Sequence, residues 1–244
     1  LTARDKLKVA TLLDSLGVAY VEGGWPGANP KDDEFFQRAK TELDLTTSTL
    51  VAFGSTRHSK NRPDEDEQLA ALLAADTDVI CLVSKSWDYH VEHALRTSSD
   101  EAVAMIGDSI EYLRSRGRRV FFDAEHFFDG YRDNPGFALA TLQTAHDAGA
   151  ERLVLCDTNG GFLSHDVQRI VGEVGAAPLQ LQERSRQDQD QPDAGQRGLV
   201  LGEQLLLRQD DVGDQSDVEP GDSYRHQRLA PPRRDHRQSD QEEM

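Results

Sequence analysis

The sequence predicts an α/β protein built on a parallel sheet, and three observations predict it. Apolar runs recur roughly 25–40 residues apart through the first 175 positions, with a helical-period segment between each pair. Runs such as VICLV and RLVLC are apolar throughout, which suits strands covered on both faces. Every run ends in polar residues or glycine, as strand ends that open onto loops do.

The elements follow in order. Thr2 can cap a helix to about Leu16, with Leu7, Ala10, Leu13 and Leu16 near helical spacing and Gly17 placed to stop it. VAYVE (18–22) reads as a short strand, and GGWPGANP as a glycine-rich turn before a helix from Asp32 to about Glu42. TLVAFG (49–54) is the next strand, followed by a polar loop and a helix over 66–75. DVICLVS (78–84) is a continuous apolar strand, and 88–117 reads as one long helical region closed by Gly117. RRVFFDAE (118–125) is the fourth strand, with a helix from Asn134 to Ala148 after it. ERLVLCD (151–157) is the fifth, and Ser164 to Val174 its helix. The pattern favours a barrel but admits a doubly wound open sheet. No G-x-G-x-x-G follows the first strand, where GGWPGANP supplies a Pro–Gly turn instead.

Composition narrows the class. A net charge of −17 argues against non-specific attraction to nucleic acid or anionic membrane. No stretch approaches a membrane span and no secretory leader is visible, so a cytoplasmic protein is expected. Cys81 and Cys156 each sit in an apolar run and read as small buried hydrophobes. The chain opens at Leu1 without methionine, so its true N-terminus is expected to lie upstream. Character changes near Gly175. Residues 176–244 hold 12 of the 16 glutamines, 15 acidic against 9 arginine residues, and a single aromatic, Tyr224. Only LVLGEQLLL (199–207) could bury an apolar face, so this tail is expected to be largely disordered. The abrupt change also raises a slipped coding frame near residue 178, which the nucleotide sequence would test.

Chemistry-bearing residues gather at the strand ends: Glu22-Gly23-Gly24-Trp25, Gly54-Ser55-Thr56-Arg57, Ser84-Lys85-Ser86-Trp87, Asp123-Ala124-Glu125-His126 and Asp157-Thr158-Asn159-Gly160-Gly161. Each has a structural reading beside the functional one. Glu125-His126 can cap a following helix, the Asp157 segment can be plain turn chemistry, and Trp25 and Trp87 read as packing residues. His90 and His93, three apart on a helix, lack a carboxylate or cysteine set at ligand spacing and read as surface or packing histidines. The acidic run 64–67 reads as a solvated helix start. Lys85 and Arg57 can hold an anion or face solvent.

Five of these segments, VEGGWPGANPKDDEFF, VAFGSTRHS, SKSWDYHVEHALRTS, VFFDAEHFFDGY and LVLCDTNGG, resemble successive strand-end segments of citramalate synthases over residues 1–175. That family stands with 2-isopropylmalate and homocitrate synthases among the divalent-metal condensing enzymes. The resemblance implies an incomplete (β/α)₈ TIM barrel with strands 2–6 of the eight visible, over residues 1–175. It further implies a Mg²⁺ or Mn²⁺ ion polarising the keto group of a 2-oxo acid, and condensation of acetyl-CoA with pyruvate in isoleucine biosynthesis, by a homodimer when intact. Glu125 matches the family's glutamate that acts close to substrate, and Thr158 the threonine holding the 2-oxo acid carboxylate. His126 is taken with Glu125 as catalytic, and Asn159 and Glu22 with Thr158 as substrate-binding.

The departures carry equal weight. The family's Arg-Asp pair, in a segment like D-T-T-L-R-D-G, would precede Leu1, and its His-x-His is not found after Gly175, where His226 and His236 stand ten apart. No residue of this chain is assigned as a metal ligand, because an octahedral ion needs several fixed donors. The chain as written is therefore expected to be inactive, and its open sheet edges to make it poorly soluble. The rival readings are 2-isopropylmalate or homocitrate synthase, and a non-catalytic barrel-derived binding protein.

Overall fold

The computed structural model describes residues 1–176 and the backbone of residues 198–200. The elements run α1 (Ala3–Leu16), β1 (Tyr20–Glu22), α2 (Pro30–Glu42), β2 (Thr49–Ser55), α3 (Glu67–Ala74), β3 (Val79–Lys85), α4 (Asp88–His90), α5 (Ser99–Ser115), β4 (Arg119–Glu125), α6 (Phe127–Asp133), α7 (Pro135–Asp147), β5 (Arg152–Leu155), α8 (Ser164–Ala176) and β6 (Gly198–Val200). All strand pairs are parallel, and the sheet order β1-β2-β3-β4-β5-β6 is that of the chain. A doubly wound sheet reverses direction partway; this one does not, and it forms the arc of a (β/α)₈ barrel.

Alternation along the strands produces two faces with different partners. Ala52, Ile80, Leu82, Val120, Phe122, Ala124, Leu153 and Leu155 pack with Phe35, Leu69, Ile106, Ile110 and Leu142 of the helices. Burial of each large side chain there contributes about 1.5–3 kcal/mol before entropy is set against it. Val51, Phe53, Val79, Cys81 and Phe121 form a second cluster with Tyr20, Trp25 and Val83, which no helix residue joins. That is the inner face.

Local signals explain the ends. Thr2 and Asp5 make a reciprocal capping box at α1, and Gly17 closes it at φ 85°. Asp66 caps α3, accepting from the N–H groups of Gln68 and Leu69; the acidic run is a helix start, but Asp66 itself is buried rather than solvated. Three features differ from expectation. The helical region 88–117 is broken: α4 passes into a π-turn (Val91–Leu95), Arg96 is left-handed at φ 54°, and Ser98 caps a fresh helix by accepting the Glu101 N–H. The Ser98/Glu101 start signal outweighs continued helical periodicity, while Val91 stays buried against Ala102 and Phe137. Next, the short helix α6 stands directly behind β4, ending where Pro135 starts α7. Finally, the backbone of Gly198–Val200 pairs with Arg152–Val154, so the segment read as a tail contributes a strand. Its apolar start meets the open edge of β5. The remaining tail readings, with His226 and His236, lie outside the described residues.

Two tethers fix the loops. Asp14 accepts the N–H groups of Ser48, Thr47 and Thr46, which lead into β2, and these bonds hold its carboxyl far below the usual aspartate range. Gly130 of α6 lies so close to the loop after β3 that an added Cβ would sit 2.1 Å from Ser86 O. Gly130→Ala is therefore expected to destabilise the fold by at least about 1–3 kcal/mol in urea denaturation. The Asp14 contribution is present above the unfolded pKa and lost as pH falls through the lower folded one. Asp14→Ala should lower Tm at neutral pH, with the gap to wild type closing as pH drops below about 4.

Candidate active site

The carboxyl ends of β3, β4 and β5 carry the polar groups, as they must in this fold. Register sets Lys85 opposite Glu125. Lys85 Nζ donates to Glu125 Oε2 at 2.6 Å, with both side chains about a quarter exposed. The Glu125 carbonyl accepts the Ser86 N–H at 2.9 Å, so both main chain and side chain of Glu125 are tied to β3. Its other oxygen lies 3.8 Å from His126 Nε2.

His126 turns the chain out of β4 in the left-handed conformation, φ 58°, unusual for a non-glycine residue. Its N–H is donated to Thr158 Oγ1 at 2.9 Å, across from β4 to the loop after β5. Thr158 thereby keeps its own O–H available to donate. The His126 side chain does not cap α6. Its ring is buried, packs edge-to-face on His90 at 4.2 Å, and its Nδ1 has no hydrogen-bond partner among the described residues; nor does Nδ1 of His90. Burial pulls both imidazoles below their usual pKa, outweighing the attraction of Glu125, and for His90 the neighbouring His126 adds to the lowering. Trp87 stands beside both rings.

Of the residues picked from sequence, Glu125, His126 and Thr158 come together. Asn159 lies on the same loop, but its amide donates to Asp129 Oδ2 at 2.8 Å and fixes that loop to α6. Glu22 is elsewhere on the inner face: its carboxylate, Cys81 Sγ and an Asp123 oxygen lie within 4.8 Å of one another. Asp157 is turn chemistry, accepting from Gly161 and Phe162 N–H groups. Trp25 is a packing residue against Phe53. Arg57 does not face an anion site: it is buried and committed to Asp108 and Glu101. His93 stacks on exposed Tyr89, whereas His90 is at the rim, a position hidden by reading 88–117 as one helix. Alternation in VICLVSK and VFFDAE was the available signal for the shared face of Cys81, Lys85, Asp123 and Glu125.

A hard divalent cation does not fit the Glu22–Cys81–Asp123 group. Cys81 is fully buried, its thiol is pushed well above its usual pKa by burial and by Asp123 and Glu22, and it donates to Asp123 Oδ1 at 3.2 Å. A protonated thiol with two carboxylates is not the oxygen-rich set that Mg²⁺ or Mn²⁺ takes.

The model of the HMGL-like family matches residues 1–179. The chain belongs to the HMGL-like family. Within its relatives, it is 55% identical over 174 residues to the (R)-citramalate synthase of Streptomyces coelicolor, covering 71% of this chain and 33% of that one. It is 53% identical over 174 residues to the enzyme of that name from Synechocystis, covering 71% and 32%. The homocitrate synthase of Saccharolobus solfataricus is more distant, 30% identical over 159 residues, covering 65% and 32%. The chain thus spans about a third of the length of these relatives. Among solved structures, hydroxymethylglutaryl-CoA lyase from Pseudomonas aeruginosa superimposes with a TM-score of 0.60 at 14% identity, over 73% of this chain and 59% of that one, which shows the shared HMGL-like barrel fold.

The Thr158–His126 bond gives a stability test. Thr158→Val removes the acceptor of the His126 N–H in a partly buried bond and should cost about 0.5–1.5 kcal/mol by chemical denaturation, with faster amide exchange at His126. Thr158→Ser, which keeps the acceptor, should recover most of it.

Proposed function

We propose that this chain carries part of the substrate site of a citramalate synthase, an acyltransferase condensing acetyl-CoA with pyruvate to give (R)-citramalate. The observation that carries the reading is near 50% identity to (R)-citramalate synthases across the strand-end segments, against 30% for homocitrate synthases. The meeting of Glu125, His126 and Thr158 at one rim supports it. The setting is isoleucine biosynthesis in the cytoplasm, by a homodimer. Among the described residues, no helix is long and apolar enough to cross a membrane.

In this reading Glu125 takes a proton from the acetyl methyl group, and the resulting enolate carbon attacks the keto carbon of pyruvate, whose carbonyl electron pair moves to oxygen and takes up a proton from solvent to give the hydroxyl. Hydrolysis of the thioester then releases CoA and makes the condensation irreversible. Thr158 donates its free O–H to the pyruvate carboxylate, while its oxygen still holds the His126 N–H. His126, buried and held toward the neutral form, stands 3.8 Å from the other Glu125 oxygen and orients that carboxylate. Asn159 holds the Thr158 loop on Asp129. Glu22 lines the inner face beneath. A divalent cation of the family would polarise the keto group. The described residues do not supply its donor set, and none of the roles above runs through it.

Isothermal titration of the full chain with pyruvate and with 2-oxoisovalerate tests the reading. Pyruvate should bind about tenfold tighter, a difference a snug pocket can draw from two methyl groups. Equal affinity, or preference for the bulkier acid, would overturn it in favour of the 2-isopropylmalate type.

A further inference from the structure

Lys85 is not used by that reading, yet its ammonium is paired with Glu125 at 2.6 Å at the rim. Two other basic groups anchor neighbouring loops, and both are fully committed. Lys6 is paired with Asp32 and donates to Gly23 O, both partners buried. Arg57 is paired with Asp108 and Glu101, its side chain 7% exposed. The two rim imidazoles, His90 and His126, are pulled toward neutrality by burial. Of Lys6, Arg57 and Lys85, Lys85 alone is left partly exposed beside the inner face, in a chain whose net charge is −17. Its partner is Glu125, a residue read here as reactive rather than structural.

That pair is differently built from the other two. Both members are about a quarter exposed, so solvent and small anions reach it. Lys85 is a flexible point charge with three donors, of which one is used on Glu125. Glu125 remains anchored without it through its own carbonyl and the Ser86 N–H. Opening the ion pair thus needs rotation of one lysine side chain and no change in the strands.

We propose that Lys85 is a second anchor, beside Thr158, for the carboxylate of the incoming acid, and that its ammonium passes from Glu125 to that carboxylate on binding. This rests on the reading of the rim as a 2-oxo acid site. It explains how an acidic chain receives an anion beside a carboxylate: the charge on Glu125 is masked until the substrate takes over its counter-ion. Glu125 is then released from the lysine at the moment when a base is wanted. Exchange of one carboxylate for another on the same ammonium keeps the charge balance at the lysine unchanged.

The experiment titrates the full chain, followed by calorimetry and by the NMR signal of the ligand, with pyruvate and with acetate, a carboxylate lacking the keto group. Wild type, K85M, K85R and E125Q are compared, each checked for an unchanged circular dichroism melt. Lys85→Met should weaken both ligands by roughly tenfold or more, the loss of one charge-assisted hydrogen bond. Lys85→Arg should restore most of the binding by keeping the charge. Glu125→Gln should tighten binding several-fold, because the competing carboxylate is gone. A merely structural Lys85–Glu125 pair would make K85M and E125Q weaken binding alike, and that result overturns the proposal. Binding unchanged in K85M, or no carboxylate binding by either wild type or E125Q, overturns it too. Lys85-dependent binding with acetate equal to pyruvate leaves the anchor standing and removes the 2-oxo acid reading instead.

Discussion

The parallel ladder between β3 and β4 is the constraint on which the rest of the structure depends. It runs without interruption from Val79 opposite Arg119 to Lys85 opposite Glu125. Because side chains alternate faces, one register decides everything that faces inward: a slip by one residue would send Cys81, Lys85, Asp123 and Glu125 to the helix side and expose Phe122 and Leu82 inward. The helix-facing cluster prevents that slip. Ile80, Leu82, Phe122 and Ala124 fit between α5 and α7, and moving them would open large apolar surfaces. Packing on the outer face therefore sets the chemistry of the inner one.

Around that ladder, loops are held by bonds to backbone groups rather than by apolar contact. Asp14 gathers three N–H groups ahead of β2, Asp32 takes the Trp25 N–H after β1, and Thr158 takes the His126 N–H after β4. Each leaves a short strand end little freedom, which is what preorganised sites need. The left-handed His126 shows the cost. A non-glycine residue there is strained, and the Thr158 hydroxyl and the buried ring packing offset the strain.

Much of the fold was legible in the sequence. Continuous apolar runs named five strands, and capping residues named most helix starts, because both depend on neighbours within a few positions. Legibility failed where two local signals competed. Helical periodicity over 88–117 hid the Arg96 break, and with it the place of His90 at the rim. LVLGEQLLL was legible as the one apolar run of the tail, but only the waiting edge of β5 makes Gly198–Val200 a strand. Arg57 read as a possible anion holder because nothing in VAFGSTRHS discloses Asp108 and Glu101, which come more than forty residues later.

Sequence by itself determined the strand-end groups, the parallel α/β class and the resemblance that led to the family, since each rests on residue type and short-range order. Tertiary structure alone decided which of those groups meet. Glu125 joins Lys85, and His126 joins Thr158, because strands from separate parts of the chain lie side by side, while Glu22, equally polar and equally a strand end, joins Cys81 and Asp123 lower on the face. Proximity across a sheet is set by register and by the packing that fixes it. No local pattern encodes those long-range contacts.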